Sequence, residues 1–212
     1  MERILVIGSG GKVGKKIVRL LGSEPLVVRA MLRSDEKKQE LASYGAEVVI
    51  GNLEGDISHA VAGCDIVVFT AGSGGHTGAD KTLLVDLWGA VKAIDCSKEQ
   101  HVKRFLMISS RGADDPDRGP VVIKPYLIAK HFADNYLIRS GMNYTILRPG
   151  RLLDEAGSGR ITTKRPERPE EQVISRDDTA QAVLYCLKDV TTVGKVFELY
   201  AGDQLIADAL KG

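Results

Sequence analysis

The sequence has few cysteines, no long apolar run and almost no net charge. Its 212 residues include only three cysteines, which lie far apart at Cys64, Cys96 and Cys186. An odd number of widely spaced cysteines favours free buried thiols in a reducing cytoplasm over a disulfide framework. The apolar runs have the length of strands, far below the roughly 20 residues of a membrane-spanning helix. The N-terminus enters a strand pattern at once, so no signal peptide is expected.

Positive and negative charges are nearly equal in number: the chain has 29 Lys and Arg residues and 28 Asp and Glu residues, which gives a net charge of +1. Nucleic-acid binding proteins need a strong basic excess or a concentrated basic face. Neither nucleic acid nor a membrane is therefore expected as a partner. With 43% hydrophobic residues, a chain of this length can build a core without structural metal. We expect one cytoplasmic domain over residues 1–212.

Short apolar runs alternate with segments of helical periodicity. The runs Ile4–Ile7 and Ile66–Phe69 are typical of strands buried on both faces of a parallel sheet. Such alternation predicts βαβ crossovers and an α/β fold, a three-layer doubly wound parallel sheet of about seven strands with a small C-terminal lid. Further strands are predicted at 26–32, 48–50, 105–108, 145–147 and 196–199, and helices at 13–21, 35–44, 83–94, 126–140, from 175, and at 205–210.

Two segments, 111–124 and 154–173, match neither period, and we interpret 151–175 as a substrate-side loop. Its basic residues could select an anionic substrate. Acidic residues interleaved among them favour a solvated loop instead. The basic residues are Arg151, Arg160, Lys164, Arg165 and Arg168.

A glycine-rich turn joins the first strand to the first helix. Gly8, Gly11 and Gly14 have the spacing G-x-x-G-x-x-G. Glycines here let a pyrophosphate approach the backbone N–H groups at the positive end of the helix. A tight structural turn is the alternative explanation. The predicted dinucleotide-binding residues of the turn are Gly8, Ser9, Gly10, Gly11, Lys12, Val13 and Gly14.

The end of the second strand indicates which dinucleotide binds. An acidic residue there pairs with the ribose of NAD, whereas a cation accommodates the 2′-phosphate of NADP. Arg33 stands at this point, followed by Ser34, and the guanidinium can bond two phosphate oxygens. Asp35 is an opposing signal, although it could cap the next helix. NADP(H) is therefore favoured, with NAD(H) as the alternative.

A tyrosine and a lysine lie one helical turn apart, at Tyr126 and Lys130. A nearby cation favours the phenolate and so suits a phenol to acid/base work. Ser109 and Ser110 follow the fifth predicted strand, at the edge where parallel sheets place ligands, and a hydroxyl there could hold a substrate carbonyl. The four residues form a candidate catalytic set for carbonyl reduction or its reverse. The alternative is that Tyr126 and Lys130 only hold the cofactor.

These motifs together resemble the atypical branch of the short-chain dehydrogenase/reductase superfamily, over nearly the whole chain. The resemblance implies a Rossmann fold that binds NAD(P). It also implies contacts of Asn52 and Leu53 with the adenine. Ala71, Gly72 and Ser73 would contact the ribose and pyrophosphate, and Pro149, Gly150 and Arg151 would lie beside the nicotinamide. The family often has Asp where this chain has Asn52.

Relatives in this branch include flavin and biliverdin reductase-like enzymes, NmrA-like sensors that bind NADP, and sugar epimerase/dehydratase-like proteins. Only 65 residues follow Leu147, too few for a large nucleotide-sugar domain. The retained Tyr126 and Lys130 favour an oxidoreductase acting on a small carbonyl, quinone or flavin-like substrate. The alternatives are a non-catalytic NADP(H)-sensing regulator and an epimerase/dehydratase acting on a small sugar.

The remaining candidates have simpler explanations. His59, His76, His101 and His131 lack metal-ligand spacing, so no metal site is proposed. His76 follows a glycine-rich turn and could approach the active site. Trp88 lies on the apolar face of a long helix, where either the core or a homodimer contact would account for it.

Overall fold

Strands and helices alternate along the chain in the computed structural model, which describes residues 1–75 and 77–211. The strands in these residues are β1 (Arg3–Ile7), β2 (Val27–Leu32), β3 (Glu47–Ile50), β4 (Ile66–Phe69), β5 (Arg104–Ile108), β6 (Tyr144–Pro149), β7 (Arg151–Leu153), β8 (Arg160–Thr162), β9 (Val173–Ser175), β10 (Lys195–Ala201) and β11 (Gln204–Leu205). The helices are α1 (Lys12–Leu21), α2 (Lys38–Ser43), α3 (Ser58–Val61), α4 (Ala79–Lys81), α5 (Trp88–Glu99), α6 (Lys124–Arg139), α7 (Arg176–Lys188) and α8 (Ile206–Ala209).

Seven strands form a parallel sheet in the order β3-β2-β1-β4-β5-β6-β10. Helices cover both faces, because successive strand side chains point to opposite sides. Ile4 and Val6 pack into the core that includes α1 and α7, whereas Leu5 and Ile7 pack into the core that includes α5 and α6. The predicted doubly wound Rossmann fold is confirmed.

The strand count is higher than predicted, because two short strands extend the sheet to nine. β8 pairs antiparallel with β10, and β11 pairs antiparallel with β8. A separate two-stranded sheet joins β7 to β9. β8 lies in the segment 154–173, where pairing with the sheet edge, not an apolar run, creates the strand.

The helical segment before β5 departs from the predicted pattern. Thr82–Leu87 is π-helical, and its wider turn shifts the face that each following residue presents. Leu83 and Leu84, at the start of the helix predicted at 83–94, are exposed. Trp88 is 55% exposed, so its assignment to the core is wrong, and a homodimer contact remains a prediction.

Candidate active site

Two clefts lie at the carboxyl ends of the parallel strands. In a doubly wound sheet, ligands bind where the strand order reverses, which is here between β1 and β4. The first cleft, of about 250 Å³, is lined by the turns that follow β1, β2, β3 and β4. The second cleft, of about 500 Å³, is lined by the segments that follow β5 and β6.

The glycine turn of the first cleft leaves no room for a side chain at Gly8 or at Gly14. Gly8 has a φ of +87°, and a Cβ there would lie 2.6 Å from the backbone nitrogen of Ala71. A Cβ at Gly14 would lie 2.2 Å from the carbonyl oxygen of Gly8. Helix α1 begins after Gly11 with no side-chain cap and no acidic residue in its first turn. Its N–H groups and positive end are therefore available to an anion, and the cradle fits a pyrophosphate.

Three side chains of this turn have partners in the protein. Ser9 is buried, and its Oγ donates a hydrogen bond of 2.7 Å to the carbonyl of Met31. Val13 belongs to the core beneath the turn. Lys12 forms an ion pair of 2.6 Å with Asp154. Both side chains of this ion pair are exposed, so the contact of Lys12 with a phosphate stays a prediction, and the backbone N–H groups are the donors that the turn itself positions.

The residues after β2 give the first cleft an exposed cation. Arg33 and Ser34 line the cleft, and Arg33 forms no ion pair with residues 1–75 or 77–211. Lys37 Nζ donates a 2.8 Å hydrogen bond to the carbonyl of Gly10, which joins this segment to the glycine turn. Asp35 is paired with a neighbouring lysine and does not line the cleft. Arg33 is thus available to a 2′-phosphate.

Four other predicted cofactor contacts line the first cleft, namely Asn52, Leu53, Ala71 and Gly72. Ser73 does not line it, and its backbone N–H donates a hydrogen bond of 3.0 Å to a carboxylate oxygen of the helical segment before β5. The first two residues follow β3 and the others follow β4, and although β2 and β1 lie between these strands, the turns after both strands line the same cleft at the carboxyl edge of the sheet.

Tyr126 and Lys130 lie between the two clefts. Lys130 is 3% exposed, and its Nζ donates hydrogen bonds to the carbonyls of Ala71 (3.4 Å) and Ile108 (3.5 Å), at the ends of β4 and β5. The same Nζ lies 5.7 Å from the centre of the Tyr126 ring. Ala71 lines the first cleft and Leu127, next to Tyr126, lines the second. Neither Tyr126 nor Lys130 lines a cleft itself, so the pair lies next to residues that line the two clefts.

A buried carboxylate that the sequence did not reveal lies beside Lys130. Asp86 is fully buried, and its Oδ1 lies 3.5 Å from Lys130 Nζ. Burial alone would lower the pKa of Lys130. Interactions with Tyr126 and with the carboxylates of Asp86 and Asp134 raise this pKa by more, so that it lies above its ordinary value. The ammonium therefore stays charged at neutral pH.

Asp86 belongs to the π-helical segment Thr82–Leu87. Segments of this kind occur often at functional sites. Its Oδ2 also accepts the hydrogen bond from the Ser73 backbone, so one carboxylate holds both the lysine and the turn after β4. The only sequence signal for this role is an acidic residue inside an otherwise apolar run.

The two serines after β5 differ in their surroundings. Ser109 is buried, and its Oγ has no hydrogen-bond partner in the described part of the chain. Ser110 lines the second cleft, and its Oγ donates to the carbonyl of Arg111 at 3.1 Å. The hydroxyl of Ser109 lies beside the buried carboxylate of Asp134 and counteracts the rise in the pKa of Asp134 that burial causes. Of the two serines, Ser110 is the one that lines a cleft.

The segment 151–175 contributes to the second cleft, as Arg151, Arg165, Pro169 and Gln172 all line it. Gly150 lines it too, and a Cβ there would lie 2.5 Å from the carbonyl of Gln172. Pro149 is buried within β6 and does not line it. The loop thus folds back against the end of β6.

Other sequence candidates have structural partners. A ring nitrogen of His59 lies 2.8 Å from the carbonyl of Ile50, and one of His131 lies 2.7 Å from that of Ala113. His76 lies outside the described residues. Within residues 1–75 and 77–211, no group of three His, Cys, Asp or Glu side chains could hold a metal ion. The same residues include no helix long and apolar enough to cross a membrane. The three cysteines are buried and unpaired, as predicted.

Proteins of similar sequence and structure carry enzyme names. The uncharacterized sugar epimerase YhfK of Bacillus subtilis is 45% identical over 99% of each chain. A protein of Bacillus halodurans, provisionally named an NAD-dependent epimerase/dehydratase, is 43% identical over 99% of each chain, with a TM-score of 0.94. The oxidoreductase ylbE of Lactococcus lactis is 28% identical, covers 98% of this chain and 94% of its own, and has a TM-score of 0.82.

The family assignment rests on most of the chain. A family model described as NAD(P)H-binding matches residues 8–190, from the glycine turn to the end of α7 and the turn that follows it. The match includes the turns that line the first cleft and the helix that carries Tyr126 and Lys130. The chain therefore belongs to the NAD(P)H-binding family and has the NAD(P)-binding fold of oxidoreductases.

Proposed function

We propose that this chain is an NADP(H)-dependent oxidoreductase that reduces a small carbonyl, quinone or flavin-like substrate. The observation that carries the proposal is the position of Tyr126 and Lys130 between the two clefts. Lys130 bonds to a carbonyl of the first cleft, and the neighbour of Tyr126 lines the second. NADPH in the first cleft would supply a hydride to a substrate in the second.

The protein side chains would manage the proton and the orientation of the substrate. As the substrate carbon gains the hydride, its oxygen takes the phenolic proton of Tyr126. The charged Lys130 ammonium, held by Asp86, stabilises the phenolate that remains until solvent reprotonates it. The hydroxyl of Ser109 or Ser110 would donate a hydrogen bond to the substrate oxygen and fix its direction.

The preference for NADP(H) rests on Arg33, which is exposed, lines the first cleft and lacks an ion pair with described residues. Its guanidinium can bond two oxygens of a 2′-phosphate, and the hydroxyl of Ser34 can bond a third. NAD(H) offers only a ribose hydroxyl at this point, which leaves the cation without a partner.

The test measures NADPH oxidation with a panel of quinones, flavins and aldehydes. Tyr126→Phe is expected to lower the rate by roughly 10²–10⁴-fold, and Lys130→Met is expected to have a similar effect. Tyr136→Phe is the matched control, since Tyr136 lies on the same helix and its hydroxyl bonds Asp95 away from both clefts. If no substrate is reduced while NADP(H) still binds, the chain is better explained as an NADP(H)-sensing regulator.

The names of the two relatives at 45% and 43% identity favour a second candidate, an epimerase or dehydratase acting on a small sugar. Such an enzyme removes a hydride and returns it, so no net cofactor is consumed. Proton NMR of small sugars incubated with the protein and NAD⁺ would detect the new isomer. Conversion of a sugar without net formation of NADH would replace the reductase proposal.

A further inference from the structure

The second cleft is rich in arginine, but not every arginine there carries a free charge. Arg118 is paired with Asp115 at 3.1 Å. Arg165 is paired with Asp114 at 2.8 Å and with Glu198. In both cases the compensating carboxylates lie outside the segment 151–175. Among described residues, two arginines that line the cleft, Arg111 and Arg151, have no carboxylate partner.

Arg111 is held in place by a neutral group. Its guanidinium donates to Oε1 of Gln172, and Nε2 of Gln172 donates to the carbonyl of Pro166 at 2.9 Å. The second bond fixes the orientation of the amide, so that its oxygen faces Arg111. An amide orders a cation without neutralising it, and the other guanidinium N–H groups keep their capacity to donate. This is the arrangement of a preorganised anion site.

Arg151 adds a second positive charge at the end of β6. It follows Gly150 directly, and its backbone N–H donates to the carbonyl of Gln172 at 2.8 Å. The same residue, Gln172, therefore anchors both arginines, one through its side chain and one through its backbone. The side chain of Arg151 is exposed at the cleft.

Part of the lining of the second cleft is apolar. Pro120, Ile123 and Leu127 line it. Val121 and Val122, in the adjoining turn, are 84% and 92% exposed. An exposed apolar cluster beside a ligand cleft marks a surface that a bound molecule can cover. A ligand that contacts both the two arginines and the apolar lining would have a negative group and an apolar body.

The cofactor does not account for this charge. The glycine turn and Arg33 lie in the first cleft, so the pyrophosphate and the 2′-phosphate would lie there. The nicotinamide end, which would approach the second cleft, has no phosphate beyond the pyrophosphate. The positive charge of Arg111 and Arg151 is therefore left for a different ligand.

We propose that the substrate is an amphipathic anion, an inference that rests on the proposed oxidoreductase function. Its conjugated or apolar body would lie against Ile123 and Leu127, and its carboxylate or phosphate would bond Arg111 and Arg151. The reacting carbonyl or ring would then lie toward Tyr126, which precedes Leu127 on α6.

The test compares probes that share one body and differ in a single anionic group, with saturating NADP⁺ present so that no reduction occurs. Riboflavin 5′-phosphate is paired with riboflavin, and 4-carboxybenzaldehyde is paired with its methyl ester; the two pairs also separate phosphate from carboxylate binding. Flavin affinity is measured by fluorescence quenching and aldehyde affinity by saturation-transfer NMR. We expect at least one anionic probe to bind roughly tenfold more tightly than its neutral partner, the order expected for a charge-assisted hydrogen bond.

The variants Arg111→Gln and Arg151→Gln should each remove most of this preference and leave the neutral probe unchanged. Arg139→Gln is the matched control, because Arg139 is exposed at the far end of α6 and lines neither cleft. Arg151→Gln keeps the test valid if Arg111→Gln fails to fold. Equal binding of the paired probes, failure of both anions to bind, or a preference that survives both substitutions would overturn the inference.

Turnover is measured separately with NADPH and the same four probes. Reduction of neutral and anionic probes with equal KM would leave the oxidoreductase proposal standing and overturn the anion site. Selective binding of an anion through Arg111 and Arg151, without reduction of any probe, would support the site and overturn the proposed activity.

Discussion

Replacing Asp86 with asparagine should destabilise the protein strongly, because the substitution leaves the Lys130 ammonium buried without its carboxylate. The two side chains are 0% and 3% exposed, and Oδ1 lies 3.5 Å from Nζ. At this separation the attraction is about 5 kcal/mol for an effective dielectric constant near 20. Removing one partner of a buried pair costs about 3–5 kcal/mol in measured cases. For a chain of this length, that loss lowers the melting temperature by roughly 6–20 °C.

The raised pKa of Lys130 determines how the stabilisation by this ion pair changes with pH. The folded-state pKa of Lys130 lies above its ordinary value of 10.5. The stabilisation is therefore fully present below pH 10.5 and is lost as the pH rises through the folded-state pKa. In urea unfolding at pH 7, the free energies of unfolding of wild type and Asp86→Asn should differ by the full loss of about 3–5 kcal/mol. This difference should shrink above pH 10.5.

Asp95→Asn is the control, because Asp95 lies on α5 and accepts an exposed hydrogen bond of 2.7 Å from Tyr136. Its loss should cost below about 1 kcal/mol. The double variant Asp86→Leu with Lys130→Met, which replaces the charged pair by apolar groups, should recover much of the stability. A loss below about 1 kcal/mol in Asp86→Asn, or a difference that stays constant through pH 11, would refute the reasoning.

Three further outcomes follow from particular residues. Gly14→Ala should abolish NADP(H) binding in calorimetry, because its Cβ would lie 2.2 Å from a backbone oxygen. Gly75→Ala should bind normally, because apart from the adjacent residues no atom of the described part of the chain lies within 4 Å of a Cβ there; normal binding by both would contradict the cradle. Arg33→Ala should weaken NADPH binding about tenfold and leave NADH binding unchanged, and an equal effect on both would argue against 2′-phosphate recognition. Burial raises the pKa of Cys186 to about 12, so a thiol reagent at pH 8 should modify this residue only after unfolding; rapid modification of the native protein would show that the thiol is accessible.

The features that the sequence predicted are those that local chemistry determines. Continuous apolar runs identify β1 and β4, because both faces of those strands are buried by helices. Ser175 accepts a hydrogen bond from the backbone of Asp178, as its position before a helical pattern predicted. The glycine turn was recognisable because only glycine fits where a Cβ would meet the backbone.

The features that were missed depend on partners distant in sequence. Residues 160–162 become a strand only because β10 offers an edge to pair with. The contact of Asp86 with Lys130 requires the π-helical turn, which periodicity cannot reveal because a wider turn breaks the period being sought. Gln172 holds Arg111 although the two residues are 61 positions apart in the sequence. The sequence of the loop therefore shows its basic residues but not which of them form ion pairs.

The net charge of +1 therefore conceals a separation of charge that bears on catalysis. Arg33 lies in the first cleft and Arg111 and Arg151 in the second, while the carboxylate of Asp86 is buried beside Lys130. Anions bound at the two ends would fix both reactants relative to Tyr126, since contacts remote from the reacting atoms can be used for orientation. If this is how the site works, Arg111→Gln should lower kcat as well as raise KM, because a substrate held only by its apolar body can still bind but is less often aligned with the phenol. A rise in KM with kcat unchanged would instead mean that the arginine contributes affinity without alignment.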